Sequence, residues 1–206
     1  MKGLLIKDFL ILKNQGKLLA LALLVYSIIA FSSGNTDMVT TMLFVVSVIM
    51  PVTAIAYDEK SRWERYALAT ALNRRDLVLS KYLFGGLCIV CGMLLGILFT
   101  LAAEKGSAAV LLPRLRMLVV AACVGVVVQS VNLPIVFHFG VEKGRIAMFL
   151  VIAGTAALQF YLGQVGIQVS GSLFSNMPLV LYVVIAAVSF GLSIVVSNLI
   201  YSKKEF

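Results

Sequence analysis

Long apolar runs separated by short polar clusters set the rhythm of this chain. A helix needs about 20 apolar residues to cross a bilayer core some 30 Å thick. Six runs approach that length: 18–31, 38–56, 79–103, 115–139, 146–165 and 178–200. The first reaches it only when Gln15 to Ser33 contributes. Pro51 and Pro134 fall inside the second and fourth, which a spanning helix tolerates when neighbours satisfy the freed carbonyl. The expected fold is an all-α integral membrane protein with six transmembrane helices, forming one transmembrane domain over residues 1–206. Composition agrees. The chain is 61% hydrophobic and 13% charged, against about 45–50% and about 25% in soluble domains. The first run lacks an A-x-A site, so it is expected to remain as a span rather than be cleaved.

Charge then orients the spans. All but three of the 17 Lys and Arg fall at the termini or in alternate loops. Lys2, Lys7, Lys13 and Lys17 precede the first span, and Lys203 and Lys204 follow the last. Lys60, Arg62, Arg65, Arg74, Arg75 and Lys81 join the second and third; Lys143 and Arg145 join the fourth and fifth. By the positive-inside rule these segments are cytoplasmic, so both termini lie inside and the span number is even. Lys105, Arg114 and Arg116 are the exceptions, in the loop before the fourth span. In such a chain the net charge of +8 is read as facing anionic membrane lipids, not nucleic acid.

Two polar segments predict helices outside the bilayer core. Residues 1–17, MKGLLIKDFLILKNQGK, read as an amphipathic interfacial helix. Leu5, Phe9 and Leu12 form its apolar stripe, with Ile6 beside them, and Lys7 and Asp8 fall elsewhere. The second segment is the loop 57–78. A short helix is expected over Asp58–Ala69, with Asp58 and Glu59 at its start, where the macrodipole favours acids. Trp63, Tyr66 and Ala67 share one face at i, i+3, i+4. A fresh cap at Asn73 opens the third span. A plain anchor needs only Lys, Arg and Trp. Here acids are mixed in, which suits a helix docking into a groove on a soluble partner.

Candidate chemistry is sparse. Cys88 and Cys91 form C-x-x-C inside an apolar run without a nearby His or second pair, and read with Cys123 as small buried residues. There is one His, His138, no H-E-x-x-H and no phosphate cradle; GVEKGR at Gly140–Arg145 has the wrong spacing. The chain is expected not to be an enzyme and to carry no cofactor or metal. Gln129 and Asn132 in the fourth span and Gln159 in the fifth either line a path or bond between helices, with packing the preferred reading. Gly92 and Gly96 form a G-x-x-x-G packing face. Without carboxylates at midplane, ion-coupled transport is disfavoured and energy must come from outside the chain.

The layout, with KGLLIKDFLILK, DEKSRWERYAL and RRDLVLSKYL, resembles the permease subunits of type-2 ABC exporters. It is closest in wording to a small bacterial branch that includes permeases exporting phenol-soluble modulins and antimicrobial peptides. That branch often has a proline before the arginine of the loop, whereas this chain reads ALNRR. The resemblance implies a bacterial plasma-membrane permease that exports an amphipathic or hydrophobic cargo. Residues 57–78 would hold a cytoplasmic coupling helix, seated in an ATP-binding subunit. Asp58, Glu59, Lys60, Arg62, Trp63, Glu64, Arg65 and Tyr66 would carry that contact. ATP and Mg would sit on the partner, and a second permease copy or paralogue would complete the transporter. The alternative is a non-transporting membrane scaffold or immunity protein that binds a peptide without moving it.

Overall fold

The computed structural model describes residues 3–4, 6–10, 21, 24–25, 28, 37–63, 66–67, 73–103, 108–146, 149–150, 161 and 178–202. Four long helices organise them: α1, Asp37–Lys60; α2, Arg74–Ala103; α3, Ala108–Phe139; and α4, Leu179–Ser202. All four are long and apolar enough to cross a membrane. They correspond to the second, third, fourth and sixth runs. Of the first run, residues 21, 24, 25 and 28 are helical, and the rest lies outside the described residues. Most of the fifth lies outside them too, including Gln159.

The helices overrun the apolar segments in an informative way. At 1.5 Å per residue, the 30 residues of α2 span about 45 Å, well beyond a core of about 30 Å. The surplus is the polar start, Arg74 to Lys81. Immediately after Asn73, the first amide bonds run from Asp76 and Leu77 back to the Asn73 carbonyl. Likewise α3 starts at Ala108 rather than 115. Arg114 and Arg116 therefore stand on the first turns of a spanning helix, not in a loop.

α3 packs most extensively on α4 and α1 on α2, while α2 and α3 also touch each other. The packing face of α4 is lined mainly by small and polar residues. On α4 the buried positions are Ala186, Ser193, Ser197 and Tyr201, whereas Val180, Val188, Leu192 and Leu199 point outward. Hydrocarbon is as apolar as leucine, so burying leucine between helices gains little; close approach and hydrogen bonds hold the bundle instead. Both glycines of G-x-x-x-G serve this purpose, but on different neighbours. A Cβ on Gly92 would collide with Ser47 of α1, and one on Gly96 would lie 2.8 Å from Leu118 of α3.

Pro134 shows how a spanning helix carries a proline. Its ring removes the amide that would bond to the Ser130 carbonyl four residues earlier. The Ser193 hydroxyl of α4 donates to that carbonyl at 2.5 Å. Ser193 and Ser197, one turn apart, also hydrogen-bond the buried Tyr82 hydroxyl of α2. One proline and three hydroxyls thus tie α2, α3 and α4 together.

Candidate functional site

The chain's charged end is where the sequence concentrates its candidate residues, and its geometry rests on a buried ion cluster. Asp58 lies in the last turn of α1, not at the start of a separate helix. There the dipole disfavours an acid, and two lysines offset it. Lys7 Nζ lies 2.5 Å from Asp58 Oδ1 and Lys81 Nζ lies 2.6 Å from Asp58 Oδ2. Lys81 also reaches Asp8 Oδ1 at 2.7 Å, and Lys7 is 3.5 Å from the same oxygen. Cations and anions alternate around a closed ring of zero net charge. Asp8 is 0% exposed, Asp58 4% and Lys81 6%.

This cluster fixes the described part of the amino-terminal helix against the protein. Its polar side turns into the protein, while Ile6, Phe9 and Leu10 are exposed. Leu4 joins the core between Val52, Leu77 and Leu133, and Phe9 meets Phe84 edge-on with ring centroids 5.8 Å apart. The sequence argument set Lys7 and Asp8 apart from the apolar stripe; the fold places Asp58 and Lys81 against them, and matched charge makes the inward face affordable. Leu5 and Leu12 lie outside the described residues.

Beyond Lys60 the chain turns sharply. Ser61 N bonds the Tyr57 carbonyl at 3.0 Å and Arg62 N the Glu59 carbonyl at 3.1 Å. Arg62 takes a left-handed φ of 53°, the conformation that commonly ends a helix. Helix resumes at Trp63, so the predicted start at Asp58 is corrected by five residues. α1 continues through Asp58, whose carboxylate has two lysine partners and needs no new helix N-terminus.

The predicted aromatic face also divides. Trp63 is half-buried against the core, with Lys7 Nζ 4.7 Å from its ring centroid, and Ala67 is buried. Tyr66 is 68% exposed. Lys60 and Arg62 are also exposed. Glu64 and Arg65 lie outside the described residues. Asp58 and Trp63 thus form the root of the loop, whereas Lys60, Arg62 and Tyr66 face outward.

Glu59 has a structural duty that the sequence did not signal. Its Oε2 accepts a hydrogen bond from Val141 N at 2.9 Å. Val141 opens a second helical segment, 141–146, so the carboxylate sits where the helix dipole favours it. A single residue, Gly140, joins this segment to α3. Its amide closes α3 on the Val136 carbonyl and its own carbonyl accepts from Gly144 N, both at 2.9 Å. Its φ of +80° and the close approach of Glu59 both require glycine. Lys143 and Arg145 are accordingly helical rather than in a loop. The end of α1, the α1–α2 loop and the α3 turn are locked together.

Away from this end, Gln129 is 1% exposed and wedged against Gly85, where a Cβ would overlap its amide nitrogen. Neither of its amide atoms has a partner among the described residues, nor has Asn132 Oδ1. Gln129 thus lies where α2 and α3 meet near Pro51 of α1. Asn132 lies at the edge of an apolar groove between α1 and α3. His138 is exposed in the last turn of α3. Among the described residues the three cysteines are free, and no group of three His, Cys, Asp or Glu could hold a metal.

The ion cluster was missed because its members lie far apart in sequence. One signal was available: Asp8 is the only acid before Asp37, an odd residue in a helix that otherwise carries lysine. Fold and site together define a multi-pass helical membrane protein with a rigidly rooted charged loop. The family model for "ABC-2 family transporter protein" matches residues 3–202. The chain belongs to this family and is a transmembrane subunit of an ABC transporter, which implies an ATP-binding partner subunit. No curated protein and no solved structure gave a significant match.

Proposed function

We propose that this chain is the permease of an ATP-driven exporter in a bacterial plasma membrane, with both termini cytoplasmic. Residues 57–78 are the coupling loop. The observation that carries this reading is the division of that loop into a fixed root and an outward face. A loop that transmits force must be stiff where it joins the spans and exposed where it meets its motor. Asp58, Glu59 and Trp63 supply the stiff root through ion pairs, a hydrogen bond to Val141 and core packing. Lys60, Arg62 and Tyr66, with Glu64 and Arg65 on the same segment, offer the contact.

The motor, with its ATP and Mg, is a separate subunit, and a second permease copy or a paralogue completes the pathway. The cargo is an amphipathic or hydrophobic peptide, in keeping with spans almost free of ionisable groups. Asn132 and Gln159 remain the candidate amides for the path.

Co-purification of the full chain with the ATP-binding subunit tests the assignment. The triple variant K60E/R62E/Y66A is expected to lower recovery of the complex and permease-stimulated ATP hydrolysis at least about tenfold, without changing membrane insertion. Unchanged recovery and hydrolysis would overturn the coupling role of this face.

A further inference from the structure

We infer that the groove between α1 and α3 is a binding site for one anionic phospholipid. The groove has a volume of about 620 Å³ and is lined almost entirely by apolar side chains, among them Val45 and Ile49 of α1 and Val124 and Val128 of α3. Its floor includes Gly125, where the absence of a side chain deepens the channel. At one end stand Arg145, Phe149 and Asn132.

Two properties choose the ligand. The first is charge. Arg145 is exposed and makes no ion pair with any carboxylate among the described residues, although Glu142 lies only three positions away. It stands four residues past the start of the 141 helix, about 6 Å along its axis at 1.5 Å per residue. A guanidinium at this depth sits at the headgroup boundary, and its planar donors match a phosphate. Basic pockets between spans bind anionic headgroups in this way.

The second is length. From Thr40 to Val52 the α1 wall runs about 18 Å at 1.5 Å per residue. Half of a bilayer core of about 30 Å is about 15 Å, so the groove accommodates one acyl chain through one leaflet. A phosphatidylglycerol-type lipid supplies both: an acyl chain and a phosphate that carries net negative charge. On the proposed orientation it belongs to the cytoplasmic leaflet, but the site itself does not depend on what the transporter carries.

Native mass spectrometry of the delipidated full chain, titrated with palmitoyl-oleoyl phosphatidylglycerol or phosphatidylcholine, tests the site. Wild type is expected to retain one phosphatidylglycerol in preference to phosphatidylcholine. Arg145→Gln should lower phosphatidylglycerol retention about tenfold, and Arg145→Lys should restore much of it. Val128→Trp, which fills the groove from an exposed position, should remove the bound lipid with Arg145 intact. Equal retention of the two lipids, or an unaltered preference in Arg145→Gln, would overturn the proposal. So would efficient cross-linking between two copies through Val128→Cys in a chain lacking its own cysteines, because the groove would then be an interface between copies.

Discussion

The charged end and the apolar middle of this protein are held together by opposite means. At the charged end, Lys7, Asp8, Asp58 and Lys81 form a closed ring of full charges, and Glu59 reaches across to Val141. The polar contacts that bind the elements there pair opposite charges, or a carboxylate with an amide. In the middle, the contacts are matters of room: Gly85 makes space for Gln129, Gly92 for Ser47 and Gly96 for Leu118. Specific bonds between spans in that region include hydroxyls placed around a proline. The solvent explains the difference. Between spans there is no water to expel, so shape and a few hydrogen bonds decide the fit. At the charged end water is nearby, and burying charge requires exact pairing against a large desolvation penalty. The two regions should therefore fail differently.

The largest effect is expected at the ring. Asp58→Ala leaves Lys7 and Lys81 sharing one aspartate, and removing one partner of a buried pair costs about 3–5 kcal/mol. Thermal unfolding in detergent should show the loss, with Asp58→Ala/Lys81→Ala less harmful than the sum of the single changes. If the two losses simply add, the four charges do not act as a unit.

A smaller loss is expected in the middle. Gly85→Ala places a Cβ where the Gln129 amide lies, an overpacking that costs about 1–3 kcal/mol. Pairing it with Gln129→Ala should recover part of the stability. No recovery would mean that steric fit is not what Gly85 provides. The smallest effect falls to the hydroxyl tie. Ser193→Ala exposes the Ser130 carbonyl freed by Pro134, and interhelical hydrogen bonds in membranes average about 0.6 kcal/mol. A change near 3 kcal/mol in the same assay would place Ser193 with the ring and erase the contrast between the regions.

Much of this architecture was legible along the chain. The runs at 38–56, 79–103, 115–139 and 178–200 each contain the apolar body of a described helix, because spanning length is imposed by bilayer thickness. The need to satisfy the carbonyl before Pro134 was likewise foreseeable; that Ser193 would do so was not. Two readings at the charged end were corrected: the helix start at Asp58 and the apolar face through Trp63, Tyr66 and Ala67. The partners of Lys7 and Asp8 were not read at all. Asp8 and Lys81 stand 73 positions apart, and no local pattern announces that they meet.

The sequence by itself determined that this is a membrane protein, where its apolar spans lie, and which end gathers its charge. These follow from hydropathy and length, which each segment carries alone. The tertiary structure decided which charges face inward, which loop residues form the root and which the exposed face, and that Glu59 closes the neighbouring turn. The physical reason is that a charge can be buried only beside its opposite, and where that opposite stands is a property of the folded chain.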